Sequence, residues 1–288
     1  MNFKETETYV KQYLQKIYPQ GEAQALATLL LEYTTGFTYT QRLVQSNQLL
    51  TSLQTEQLQY NLSRLADHEP IQYITNEAWF CHNKFYVDKN VLIPRPETEE
   101  LVMWIEDSAD KTRPLKILDI GTGSGCIAIS LEKLLPNARI YAADYSYTAL
   151  NVAQKNAEEL DADVHFIYAD ILSQNNKASH FAPFDMVVSN PPYIAQNEKR
   201  DMPNNVLLHE PHTALFVENN SPLLFYEKII AFCKQNLHND GLLFFEINEQ
   251  YGKQIVQLHQ ANGFENINLK KDLQGKDRMT KATLKKNY

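Results

Sequence analysis

The sequence predicts an α/β protein in which a parallel sheet is covered by helices on both faces, preceded by a small helical domain and a β-hairpin linker. Three observations carry this. From residue 115 onward, short apolar runs of strand length alternate with segments of helical period. Residues 1–75 have helical spacing and no strand pattern. Between them, residues 76–93 are rich in aromatic and β-branched side chains. The implied boundaries are 1–75 for a helical bundle, 76–97 for the linker and 98–288 for the α/β domain.

Each element has a local reason. In the first domain Ala25, Leu26, Leu29, Leu30 and Tyr33 recur at helical spacing, as do Leu58, Leu62 and Leu65, with breaks at Gly36 and Ser46-Asn47. In the linker, Trp79-Phe80 and Phe85-Tyr86-Val87 read as two strands with Asn83-Lys84 between them, and Val91-Leu92-Ile93 continues the apolar run. Pro94-Arg95-Pro96 then stiffens the chain, and Glu97, Glu99 and Glu100 suit the first turn of a helix. Lys116–Ile120 is the first strand of the α/β domain, followed by a glycine-rich turn and a helix over Ile127–Leu135. Arg139–Ala143 is the second strand, then a helix marked by Ala149, Val152, Ala153 and Leu160, then strands Val164–Tyr168 and Phe184–Val188. A helix over Leu223–Leu237, a strand over Leu242–Ile247, a helix over Tyr251–Ala261 and strands at Asn266–Leu269 and Lys281–Leu284 complete the alternation.

The composition narrows the class. With 43% hydrophobic and 22% charged residues in 288, the chain is globular. Its net charge of -8 argues against affinity founded on blanket phosphate neutralisation. The first 75 residues carry five basic against seven acidic side chains, so no basic nucleic-acid arm is evident. Cys81, Cys126 and Cys233 form no CxxC pair, which favours neither a zinc site nor a disulfide framework, and a reducing compartment is the simpler reading. The start lacks a signal-peptide layout and no apolar run is long enough to span a bilayer. The expectation is a cytoplasmic protein with no membrane partner and no metal.

Two motifs carry chemistry. The first strand leads into Gly121-Thr122-Gly123-Ser124-Gly125, where glycines permit a sharp turn and close approach of a ligand to the main chain. The dinucleotide fingerprint GxGxxG would require glycine where Cys126 stands, so the loop suits a nucleoside without a pyrophosphate; the alternative is a plain strand-to-helix turn. Asp144 ends the second strand at the place where an acid accepts from a ribose diol, and Asp170-Ile171 follows the third strand, where the acid can accept from an exocyclic amino group. Either acid alone reads equally well as an exposed cap. The fourth strand delivers Ser189-Asn190-Pro191-Pro192-Tyr193, a corner with two fixed φ angles and two missing donors. It presents one side-chain amide, one outward carbonyl and one ring, a set suited to holding a planar amino group.

This constellation resembles the amino-group branch of the class I S-adenosylmethionine-dependent methyltransferases. Val91–Glu99, Leu118–Gly125, Val188–Ile194, Glu210-Pro211 with Ala214-Leu215, and Asp272–Gly275 followed by Arg278 resemble the HemK/PrmC family along nearly the whole chain. Asn76, His82 and Asn248 stand where that family commonly has glycine; asparagine tolerates left-handed φ, while His82 is expected to alter the hairpin turn. The resemblance implies methylation, by S-adenosylmethionine, of the glutamine nitrogen in the Gly-Gly-Gln motif of class I peptide chain release factors. It implies cofactor contacts from Gly121, Thr122, Gly123, Ser124, Gly125, Asp144, Asp170, Ile171 and Asn190. Asn190 and Pro191 would accept from the substrate NH2, Pro192 would frame it and Tyr193 would stack on the amide. The expected form is a monomer with no stable nucleic-acid partner. The alternatives are a nucleic-acid amino methyltransferase, since the same corner holds flipped bases, and a cofactor-binding adaptor that docks on translation factors without catalysis. Arg95 is read either as part of a rigid linker or as a contact to the substrate protein, and His209-Glu210-Pro211-His212 as a loop.

Overall fold

The computed structural model describes residues 1–173 and 176–285, so positions 286–288 of the expected C-terminal span lie outside the described residues. The chain forms two compact units, Met1–Asn76 with Pro203–His209, and Glu77–Met202 with Glu210–Tyr288.

The first unit contains α1 (Phe3–Leu14), α2 (Gln20–Thr35), α3 (Tyr39–Val44), α4 (Ser52–Ala66) and α5 (Ile71–Thr75). Asn2 with Glu5, Thr38 with Gln41 and Thr51 with Gln54 form reciprocal capping boxes, each satisfying two donors that a helix start leaves open. Gly36 ends α2 in the left-handed region at φ 73°. The core face of α2 runs through Ala23, Ala27, Leu30, Leu31 and Thr34, whereas Ala25, Leu29 and Tyr33 of the expected stripe are exposed. The alanines permit close helix approach, so volume rather than hydrophobicity sets the face.

The second unit opens with a hairpin of β1 (Glu77–Phe80) and β2 (Asn83–Tyr86). Its turn is Cys81-His82, at φ 45° and 63°, as a two-residue primed turn requires. The turn expected at Asn83-Lys84 is therefore corrected: those residues pair with Phe80 and Trp79 inside the hairpin. Asn76 does adopt the left-handed region (φ 56°), whereas Asn248 sits at φ -67° and has no need of it.

There follow α6 (Pro96–Ser108), β3 (Lys116–Ile120), α7 (Cys126–Leu134), β4 (Arg139–Asp144), α8 (Tyr147–Glu159), β5 (Val164–Tyr168) and β6 (Phe184–Ser189). Short β7 (Ile194–Ala195), α9 (Asn204–His209, part of the first unit), α10 (His212–Leu215) and β8 (Phe216–Val217) lead to α11 (Leu224–Asn236) and β9 (Leu237–Glu246). The chain ends with α12 (Gly252–Ala261), β10 (Phe264–Lys271) and β11 (Asp277–Leu284).

The main sheet has the order β10-β11-β9-β6-β3-β4-β5. Strands β9, β6, β3, β4 and β5 are parallel, while β11 runs antiparallel to both of its neighbours. Full alternation through the last two strands is thus not kept. The few residues between β10 and β11 allow a hairpin but not the crossover of a dozen or more residues that a parallel pair needs. Leu118, Val187, Ile229, Ile230 and Phe245 pack on one face of the sheet, and Ile117, Leu101, Ile105, Ile127, Val188 and Phe244 on the other. Burial on both faces explains why these strands read as continuous apolar runs. From β3 the chain passes to β4 on one side, and β6 lies on the other. The carboxyl ends of β3 and β6 therefore flank a topological switch point, where open α/β sheets hold ligands.

Candidate active site

One cavity opens at that switch point. Its walls bring together Gly121, Thr122, Gly123 and Ser124 after β3, Asp144 at the end of β4, Asp170 and Ile171 after β5, and Asn190, Pro191 and Pro192 after β6. Gly125 and Tyr193 are not part of the lining. Segments 90–95 and Thr98 close one side, and Pro211, Thr213, Ala214, Phe225 and Ile229 another.

The glycine bend is built for exposed main chain. Gly121 and Gly123 sit at φ 77° and 55°, and a Cβ at either would meet only open space. Side chains are excluded there by backbone conformation, which leaves peptide groups bare to the cavity. Gly125 has a different task. At φ 80° it caps α7, and a Cβ would lie 3.1 Å from Ala153 Cβ and from Ile129 Cδ1, so it seats α7 against α8. The bend is also clamped from behind. Buried Asn156 accepts from Tyr86 N (2.6 Å) and donates to Tyr86 O and Ser124 O (both 2.9 Å). One side chain on α8 thus fixes both the end of the hairpin and the glycine bend.

Three acids surround the bend. Asp144 accepts from Gly123 N and Ser146 N, each at 2.9 Å, and its burial raises its pKa against the pull of these donors. Tyr145 N also bonds the carboxylate, which keeps acceptor capacity for a hydroxyl. Asp119 is fully buried and accepts from the Thr122 hydroxyl at 2.7 Å. Burial pushes its pKa up to about 7, the Thr122 bond opposes this and the Asp144 charge adds to it. Asp170 is exposed and accepts from Leu172 N at 2.8 Å, so it is held at the cavity wall by its own turn. Arg95 is the only basic side chain among the described lining residues. Carboxylates, bare peptide and apolar walls from Ile127, Ala169, Ile171 and Ile229 fit a nucleoside without phosphates.

At the corner, Ser189 Oγ donates to Ile120 O (2.6 Å) and binds the end of β6 to the end of β3. Asn190 Nδ2 donates to Thr98 Oγ1 (3.3 Å), and Thr98 Oγ1 donates to Glu246 Oε2 (2.6 Å). The Tyr193 hydroxyl donates to Glu246 Oε1 (3.1 Å) and its half-buried ring packs against the core. Burial foremost, then the Glu246 charge, raises the Tyr193 pKa, so it remains a donor. Asn248 Nδ2 donates to Tyr193 O (3.4 Å) and steadies the chain beyond the corner.

Sequence reasoning did not assign roles to Thr98, Glu246, Glu210 or Asn156. A signal existed for one of them: Glu246 is a carboxylate inside the apolar run Leu242–Ile247, and a buried acid demands partners. Glu210, equally buried, accepts from Ile93 N (3.3 Å) and pairs with Arg95 (2.5 Å); burial raises its pKa and Arg95 lowers it. Arg95 thus lines the cavity from a fixed base rather than lying idle in a linker. His209 contacts Asp67 O within the first unit, and among the described residues no group of three or more metal-ligating side chains occurs. Nor is any helix of the described residues long and apolar enough to cross a membrane.

Comparison with known proteins converges on one family. The family description "Methyltransferase small domain" matches residues 101–221 and "PrmC N-terminal domain" matches residues 6–75. The chain is 44% identical to "Release factor glutamine methyltransferase" of Flavobacterium psychrophilum over 288 residues, covering 99% of this chain and 100% of that protein. A protein of the same name from Bacteroides thetaiotaomicron is 42% identical, covering 95% of this chain and 97% of that one. Among solved structures, the hMettl16 catalytic domain in complex with a MAT2A 3'UTR hairpin has a TM-score of 0.56 at 18% identity, covering 70% of this chain and 74% of that one. A methyltransferase from Pyrococcus furiosus has a TM-score of 0.51 at 14% identity, covering 82% of this chain and 100% of that one. These structural likenesses speak to the fold alone.

Proposed function

The chain belongs to the release factor glutamine methyltransferase family, and from that premise we propose that it methylates the side-chain nitrogen of the glutamine in the Gly-Gly-Gln motif of class I peptide chain release factors. The carrying observation is that one cavity is walled by both the glycine bend and the Asn190-Pro191-Pro192 corner. The methyl donor is S-adenosylmethionine, which when bound supplies an electrophilic methyl on a sulfonium. The walls fit it: Asp144 keeps acceptor capacity for a ribose hydroxyl, Asp170 offers an acceptor for an amino group, and Gly121 and Gly123 put no side chain in the way of a ligand. Ile171 and Ala169 supply an apolar wall for a base.

The work of the corner is to hold a poor nucleophile. An amide nitrogen has its lone pair delocalised into the carbonyl. Asn190 Oδ1 and Pro191 O accept its two hydrogens, fix its direction and favour the positive charge that builds on nitrogen. Pro192 keeps the corner rigid, and Tyr193 secures it through Glu246. The nitrogen becomes acidic only once methylated, so its surplus proton can leave to solvent without a dedicated base. Arg95, held by Glu210, is placed to meet the main chain or a carboxylate of the incoming protein segment. This reading takes a single copy of the chain as the working unit in the cytoplasm, with a protein rather than a nucleic acid as partner.

The test is mass spectrometry of a purified release factor after incubation with this protein and S-adenosylmethionine. A gain of one methylene on the Gly-Gly-Gln peptide is expected. Transfer to ribosomal RNA or DNA instead would favour a nucleic-acid amino methyltransferase. Normal cofactor binding with no transfer to any of them would favour an adaptor.

A further inference from the structure

Resting on that reading of the corner, we propose that Thr98 and Glu246 are positioning residues that fix which way the Asn190 amide faces. An asparagine side chain is a donor on one side and an acceptor on the other, and only the acceptor serves a substrate NH2. The corner itself does not choose between them, because the prolines restrain backbone and leave the terminal side-chain torsion free to turn over.

The choice is made by a hydroxyl with one proton. Thr98 is buried near the start of α6, its Oγ1 lying 3.3 Å from Asn190 Nδ2 and 2.6 Å from Glu246 Oε2. Glu246 is buried at the end of β9, and its other oxygen already accepts from the Tyr193 hydroxyl at 3.1 Å. In its ionised form, which the Thr98 and Tyr193 hydroxyls and the Arg278 charge favour against its burial, Glu246 can only accept. The Thr98 proton is therefore committed to Glu246, and Thr98 can offer Asn190 only a lone pair. The NH2 of Asn190 must face Thr98, and Oδ1 is left to the cavity. Were Thr98 free to donate to Asn190, the flipped amide would present two N–H groups to the substrate NH2, and the acceptor would be lost. Three segments far apart in the chain thus form one directed relay: carboxylate, hydroxyl, amide, substrate.

The prediction concerns turnover, not cofactor binding. In the full-length protein with release factor as substrate, Thr98→Val, which keeps the shape and removes the hydroxyl, lowers kcat by about 10²-fold, the scale of a misoriented reacting group. Its affinity for S-adenosylmethionine, measured by calorimetry, stays within a few fold, and Thr98→Ser restores most of the lost rate. Glu246→Gln, which can donate to Thr98 and free its proton, lowers kcat in the same way. If Asn190→Ala is inactive while Thr98→Val turns over like the unaltered protein, the relay is wrong and the reading of the corner stands. If Asn190→Ala itself remains active, the reading of the corner has failed first. A Thr98→Ser protein as slow as Thr98→Val, or a Thr98→Val protein that loses cofactor affinity along with rate, also overturns the proposal, since the hydroxyl would then be a packing element. Should Thr98→Val not fold, Glu246→Gln carries the test, and full turnover in that variant overturns it.

Discussion

Asn156 should be the most consequential side chain in the second unit that touches neither face of the reaction. It is fully buried and makes three hydrogen bonds, from Tyr86 N and to Tyr86 O and Ser124 O. Asn156→Ala removes all three and leaves main-chain groups at Tyr86 and Ser124 without their partner. At about 1 kcal/mol net for each bond, the loss is about 3 kcal/mol. For a unit of this size each kcal/mol shifts the melting point by about 2–4 °C, so calorimetric unfolding should show a fall of roughly 6–12 °C. The same change unties the glycine bend, so affinity for S-adenosylmethionine should fall as well, by titration calorimetry below the melting range. A protein with Tm lowered by less than about 2 °C would mean that the clamp contributes nothing net. A protein with the expected Tm but unaltered affinity would mean that the bend holds its shape without the clamp.

Three further outcomes follow from the site. Asn190→Ala should lower kcat by about 10²–10³-fold, the usual cost of one preorganised contact, with cofactor affinity within a few fold in calorimetry; loss of affinity without loss of single-turnover rate would contradict its role. Asp144→Ala should do the reverse and weaken cofactor binding first, and unchanged calorimetric affinity would refute the ribose assignment. Asp119, raised to about 7 by burial, is protonated in the folded protein at pH values where the unfolded chain has already ionised. The folded state therefore binds more protons between pH 4 and 7 and loses stability as pH rises through that window, by an amount on the order of a few kcal/mol. Asp119→Asn should raise the melting point of the cofactor-free protein at pH 8 and leave it nearly unchanged at pH 4; an equal shift at both would show that charge is not the cause.

Much of this was legible because its signals are local. The helix break at Gly36, the glycine bend and the two prolines after β6 each act within a few residues, so pattern and structure agree on them. The hairpin turn was displaced because Asn83-Lys84 has ordinary turn composition, whereas Cys81-His82 does not, and tertiary contacts override it: Cys81 N donates to Glu99 Oε1 at 2.9 Å. The face of α2 was misjudged because periodicity weighs hydrophobicity, while the core selected alanines for closeness. Tyr193 was assigned to the substrate because a ring beside a catalytic asparagine suggests stacking. Its hydroxyl also finds an acid on another strand, and no local pattern encodes that acid's position.

The polar chain at the corner also explains itself energetically. Glu246 lies within an apolar strand, and taking a carboxylate out of water costs several kcal/mol, as its raised pKa reflects. Hydroxyls from Thr98 and Tyr193 offset part of that cost without supplying a countercharge. An apolar residue at this position would spare that desolvation but would leave the buried Thr98 and Tyr193 hydroxyls without their acceptor. What an apolar residue cannot do is compel a neighbouring hydroxyl to withhold its proton. The acid is thus best understood as a device for direction: through it an amide at the end of β6, by itself indifferent to which end faces out, presents an oxygen to the cavity.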